Sequence, residues 1–105
     1  IDVAVSTCLK VNPDIHVHTG RVVSGDQFIS SKEVKERLIQ EFQGDCAEME
    51  GASIAHGAYL NSIPFVIIRA ISDKADDSAK MDYPTFEKAA ALHSAKLVEA
   101  MMPQI

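Results

Sequence analysis

The stretch Ile63-Pro64-Phe65-Val66-Ile67-Ile68-Arg69-Ala70-Ile71-Ser72-Asp73 decides the class of fold. Its run from Ile63 to Ile71 is apolar without alternation, the pattern of a strand covered on both faces, as in a parallel sheet packed between helices. Upstream, Ala52–Tyr59 is rich in alanine and predicts a tightly packed helix, and Cys46-Ala47 begins a short buried strand. Before it, Ser30 and Glu33 form a capping box. The helix they open carries Val34, Leu38 and Phe42 on one face and ends at Gly44. Ile15 to Ser24 alternates and reads as a strand, after a turn at Val11-Asn12-Pro13-Asp14. Ile1 to Lys10 fits a strand and the tail of a helix equally well. Downstream of Asp73, a Ser72–Lys80 loop leads to a helix starting near Asp82, with Pro84 tolerated in its first turn. Along it Phe86, Ala89, Ala90, His93, Leu97 and Met101 recur at helical spacing. Strands alternate with helices, so the class is α/β with a largely parallel, helix-covered sheet.

The chain has 105 residues, 47% apolar and 24% charged, which is an ordinary globular composition. A net charge of −5 spread along the chain opposes a nucleic-acid partner or an anionic membrane surface. No apolar run approaches a bilayer span, and no signal peptide opens the sequence. Cys8 and Cys46 share no metal or redox spacing and read as buried free thiols. These features suit a cytoplasmic protein. The chain opens on Ile1 within patterned sequence, which reads as a piece of a longer chain.

Three clusters lie at the C-terminal ends of expected strands, where open α/β sheets place their ligands. They are Ser24-Gly25-Asp26-Gln27-Phe28-Ile29, Glu48-Met49-Glu50-Gly51 and Arg69-Ala70-Ile71-Ser72-Asp73. Glu48 and Glu50, two residues apart, point the same way if the strand continues; ionised carboxylates only accept hydrogen bonds, which suits a pair of ribose hydroxyls. A bare Glu-x-Glu, taken alone, reads more readily as a solvated strand-end turn. Asp73, at the edge of a buried sheet with Ser72 able to hydrogen-bond it, fits a general acid, while taken alone it reads more readily as a helix cap or turn residue. Phe28 is placed to stack on a base and Ile29 to offer its backbone to a base edge, unless both are core. Arg69 ends an apolar strand and needs an acidic partner, with Glu48 or Glu50 the candidates. His16 and His18 share a strand face but lack a third metal ligand and read as surface histidines. His56 and His93 read as packing or surface residues. The polar residues Lys74–Lys80 form a solvated loop, or one able to close over a ligand.

The three clusters in this order resemble the nucleoside phosphorylase and nucleosidase superfamily, nearest to the 5'-methylthioadenosine/S-adenosylhomocysteine nucleosidases. The matching segments are VSGDQFI at Val23–Ile29, AEMEGASIAHGAYLNSIPFVIIRAISDKAD at Ala47–Asp76 and DYPTF at Asp82–Phe86. The resemblance implies a three-layer αβα fold of which residues 1–105 are the C-terminal half of a single domain. It implies that Phe28 stacks on adenine and that the Ile29 backbone bonds the base's Watson–Crick edge. Met49 then lies under the ribose, Glu50 binds its hydroxyls and Glu48 supports that end of the site. Asp73, oriented by Ser72, bonds adenine N6 and protonates N7, with Arg69 near the ribose and the attacking water. Tyr83 lines the pocket of the 5'-thio substituent, where the family often has Phe.

The implied reaction is hydrolysis of the N-glycosidic bond of 5'-thioadenosines in methionine salvage, releasing adenine, with no metal or redox cofactor. The implied partners are the 5'-thioadenosine and adenine, with a homodimer when the domain is complete. The family chain is about twice as long. Its other half carries the water-activating glutamate, so this fragment alone is expected to be inactive. The alternatives are a purine nucleoside phosphorylase, with phosphate in place of water, and a non-catalytic nucleoside-binding fragment.

Overall fold

The structure is a computed structural model that describes residues 1–73 and 83–105. It divides into two compact units, Ile1–Thr19 with Asp82–Ile105, and Gly20–Met81.

In the first unit, helix α1 (Asp2–Val11) packs on helix α4 (Tyr83–Met101). The ambiguity over Ile1–Lys10 resolves to helix: Val3, Ala4, Thr7, Cys8 and Val11 fall on one side at three- and four-residue spacing and are covered, with Val5 also partly covered. Asp2 in the first turn and Lys10 in the last complement the helix dipole. The core is Cys8, Leu97 and Met101, with Val3, Ala4, Ile15 and Val17 against it. On α4 the covered positions include Phe86, Ala90, His93, Leu97 and Met101; Ala89, expected among them, is exposed. The expected helix start near Asp82 lies outside the described residues, as does the Lys74–Lys80 loop; Pro84 falls in the first turn of α4.

Asn12 follows α1 and is 1% exposed. Its backbone N–H caps the helix at the Cys8 carbonyl (2.8 Å), and its Nδ2 donates to the His93 carbonyl (2.9 Å). The turn expected at Val11–Asp14 thus also ties α1 to α4. Gln104 Nε2 donates to Thr7 Oγ1 (2.9 Å), a second tie within this unit.

The second unit is built on a βαβ crossover. Strand β1 (Val22–Ser24) and strand β2 (Cys46–Glu48) pair in parallel, joined through helix α2 (Lys32–Phe42) and followed by helix α3 (Gly51–Leu60). The register sets Val22 opposite Cys46, Val23 opposite Ala47 and Ser24 opposite Glu48. The strand expected over Ile15–Ser24 is confined to its last three residues. Ile15 and Val17 pack on the core of the first unit instead, so only Val22–Ser24 remains to pair.

The termini of α2 differ from expectation at both ends. Ser31, not Ser30, is the N-cap and accepts from the Val34 N–H (3.4 Å). At the other end Gln43, not Gly44, takes the left-handed conformation (φ 52°). Arg21 steadies that end, its guanidinium donating to the Phe42 carbonyl (2.8 Å). Gly44 serves close approach instead: a Cβ there would lie 3.0 Å from both methyls of Val23. Of the α2 stripe, Val34 and Leu38 are partly covered and Phe42 is exposed.

The largest correction concerns Ile63–Ile71. The segment forms no strand, and Phe65 is 52% exposed. A strand exists only through its ladder, and the two strands described here pair with each other. Helix α3, expected to be tightly packed, likewise leaves Ile54, Tyr59 and Leu60 exposed.

Candidate active site

Parallel pairing brings the C-terminal ends of β1 and β2 side by side, and the site is built where both strands stop. Gly25 N–H donates to the Glu48 carbonyl (3.1 Å), extending the ladder one step beyond the strands. There the two glutamates take different work. The Glu48 side chain is 3% exposed. Its Oε2 accepts from the backbone N–H groups of Glu50 (3.1 Å) and Gly51 (2.6 Å), and its Oε1 from the Ser24 hydroxyl. Burial alone would push this carboxyl up. The hydrogen bonds from Ser24, Glu50 and Gly51 and the charge of Arg69 outweigh it and hold the group below its ordinary value of 4.5.

The Glu50 side chain is 60% exposed. Arg69 bridges the pair, with Nη2 3.3 Å from Glu50 Oε2 and Nη1 3.7 Å from Glu48 Oε2. The acidic partner that Arg69 required is therefore both candidates. Glu48 is committed to the backbone, whereas Glu50 presents oxygen to solvent.

A cleft of about 410 Å³ opens beside them, lined among others by Phe28, Ile29, Met49, Arg69, Ser72 and Asp73, with Glu48 in its wall. Ser72 Oγ donates to Asp73 Oδ2 (3.1 Å). The cleft lining thus includes both an exposed aromatic ring and an arginine with a hydroxyl-supported carboxyl. An aromatic heterocycle can stack on the first while polar groups meet the second. Tyr83 belongs to the first unit, where its ring lies 6.4 Å from that of Phe86.

Ser24 stands in the first of the three clusters, and the sequence alone assigns it no role; its signal is that both short strands end on a polar residue. Lys35 and Cys46 also line the cleft. Burial pushes the Cys46 thiol up; Arg69 draws it down and Glu48 pushes it up again, with a net rise. Among the described residues no group of three or more His, Cys, Asp or Glu is placed to hold a metal ion, and His16 and His18 are exposed. Cys8 is a buried free thiol and Cys46 a partly covered one.

The sequence matches the Phosphorylase superfamily over residues 1–103. It is 42% identical over 86 residues to the aminodeoxyfutalosine nucleosidase of Helicobacter pylori strain 26695, covering 82% of this chain and 37% of that protein. It is 39% identical over 105 residues to the 5'-methylthioadenosine/S-adenosylhomocysteine nucleosidase of Exiguobacterium sp. AT1b, covering 96% of this chain and 45% of the relative. Among solved structures, the 5'-methylthioadenosine/S-adenosylhomocysteine nucleosidase of Neisseria meningitidis in complex with methylthio-immucillin-A superposes with a TM-score of 0.86. It has 35% identity and covers 99% of this chain and 45% of that one.

The chain belongs to the phosphorylase superfamily. Within it, the relatives named above are nucleosidases, whose nucleoside phosphorylase-like α/β fold it shares over nearly its whole length. It spans less than half the length of these relatives.

Proposed function

We propose that these residues form the base-binding and acid-bearing part of a nucleosidase that hydrolyses the N-glycosidic bond of 5'-methylthioadenosine and S-adenosylhomocysteine. The observation that carries this reading is the cleft that joins Phe28, Met49, Arg69 and the Ser72–Asp73 pair, with Glu50 held at Arg69. Phe28 stacks on the adenine and the Ile29 backbone meets its Watson–Crick edge. Met49 packs under the ribose and Glu50 accepts from the ribose hydroxyls. Glu48 acts indirectly, by fixing the turn that carries Glu50. Tyr83 is assigned to the 5'-thio substituent.

In the reaction, Asp73 bonds adenine N6 and gives its proton to N7, so that adenine departs neutral with the electrons of the C1'–N9 bond. The sugar acquires oxocarbenium character, which nearby carboxylate charge stabilises. Water adds to C1' and loses a proton, giving the free thioribose. The water-activating glutamate is assigned to a part of the domain outside these residues. The complete enzyme is read as a cytoplasmic homodimer in methionine salvage. In that reading residues 1–105 are the C-terminal half of a single domain. No helix among the described residues is long and apolar enough to cross a membrane.

The test is product analysis with a full-length nucleosidase domain containing these residues, with and without phosphate. Free methylthioribose and adenine, formed at a rate independent of phosphate, are expected. A sugar 1-phosphate as product overturns the hydrolytic reading in favour of phosphorolysis. The name of the Helicobacter pylori relative favours aminodeoxyfutalosine as a second substrate. Its hydrolysis in competition with methylthioadenosine ranks the two.

A further inference from the structure

Helix α3 opens with backbone N–H groups that have no partner inside the helix. Those of Glu50 and Gly51 go to Glu48 Oε2, and that of Ala52 goes to Ser24 Oγ (2.9 Å). The Ser24 hydroxyl therefore works in both directions, accepting from α3 while donating to Glu48. Strand register makes this possible, because Ser24 and Glu48 face each other at the last pair of the β1–β2 ladder. A carboxylate as buried as Glu48 must be saturated with donors, and Ser24 supplies the one that comes from a neighbouring strand. The turn so fixed, Met49–Glu50, carries the carboxylate that Arg69 meets at 3.3 Å. Ser24 itself is not among the residues lining the cleft that holds Asp73 and Arg69.

We propose that Ser24 is a positioning residue for ribose recognition: its hydroxyl locks Glu48 and the first turn of α3, and through them sets Glu50 against Arg69. The inference rests on the reading of Glu50 as the ribose-binding carboxylate. Recognition of the base, which falls to Phe28, Ile29 and Asp73, does not pass through this linkage. Loss of the hydroxyl should therefore separate ribose affinity from adenine affinity, which a general loss of stability would not do.

The experiment compares Ser24→Ala, Ser24→Thr and Ser24→Cys in a full-length nucleosidase domain containing these residues. For Ser24→Ala, the KM for methylthioadenosine should rise about tenfold, the effect of one hydrogen bond to a charged group, while inhibition by free adenine stays within about twofold. Ser24→Thr keeps the hydroxyl and should restore the KM. Ser24→Cys keeps the size but is a weak acceptor, so it should follow Ala and serves if the Ala variant does not fold. Amide hydrogen exchange at Ala52 reads the linkage without ligand: it should quicken in the Ala and Cys variants and not in Thr. Unchanged exchange at Ala52, an unchanged KM, or equal weakening of nucleoside and adenine overturns the proposal. A parent protein that binds no thioadenosine overturns the nucleosidase reading instead, and the exchange measurement still decides whether Ser24 holds α3.

Discussion

The guanidinium of Arg69 lies 3.3 Å from the carboxylate of Glu50, and both side chains are substantially exposed. Such a pair contributes about 0–1 kcal/mol to stability, because water screens it. Its value lies in geometry, since the planar fork reaches Glu48 as well as Glu50. An ammonium is a point charge and does not span two carboxylates in the same way. Arg69→Lys in a full-length domain is therefore expected to lower kcat/KM about tenfold while changing unfolding free energy by less than ~1 kcal/mol. Steady-state kinetics and denaturant unfolding on the same samples check it. A large stability loss with unaltered kcat/KM would show that the arginine is structural.

Asp73→Asn removes the proposed acid and keeps the shape. An amide can still hydrogen-bond a purine but has no proton to give N7. Turnover of methylthioadenosine is expected to fall by about 10² to 10⁴. Binding of an immucillin-type inhibitor, measured by calorimetry, should persist. Near-normal turnover in this variant would remove Asp73 from the acid role.

How much of this was legible in the sequence follows from which interactions are local. The helices α2, α3 and α4 are local patterns, and their positions were readable. The cap of α2 slipped by one residue because Ser30 and Ser31 are adjacent candidates and only the Val34 N–H chooses between them. Arg69's need for an acidic partner could be argued from its place after an apolar run, whereas the unequal roles of Glu48 and Glu50 came only with the family resemblance and not from the residues' own pattern. That inequality arises from the Ser24–Glu48 register across the sheet, which no one-dimensional pattern contains. Ile63–Ile71 failed for a related reason. Its apolar character describes a strand with neighbours, and neither described strand pairs with it.

The lowered Glu48 carboxyl ties stability to pH. The unfolded chain binds a proton here more readily than the folded one. The stabilisation is therefore complete above the ordinary value of 4.5 and is lost as pH falls through the lower folded value. Glu48→Gln should destabilise the domain by about 1–3 kcal/mol at neutral pH, because its amide nitrogen turns a donor toward groups that need an acceptor. The difference between parent and variant should shrink as pH falls below the ordinary glutamate value. Unfolding curves of both proteins from neutral to acid pH measure it. A gap that stays constant across that range would contradict the assignment of Glu48 as an ionised cap.

The last prediction concerns residues 1–105 expressed alone. The cleft holds groups able to place a base and deliver a proton, but positioning and acid catalysis accelerate reaction only when the site is rigid and the nucleophile is activated. The proposed water-activating glutamate is not among these residues. Phe65 and Ile68 stand on an apolar stretch without a ladder, and such a stretch invites association. The chain is therefore expected to release no adenine from methylthioadenosine and to self-associate in sedimentation velocity runs. Phe65→Asp should reduce the association without creating activity. Supplying the remaining part of a nucleosidase domain, in cis or as a separate chain, should raise adenine release above background and lower self-association together. Robust release by the 105 residues alone would place the water-activating base within them, and the division of the site argued above would be wrong.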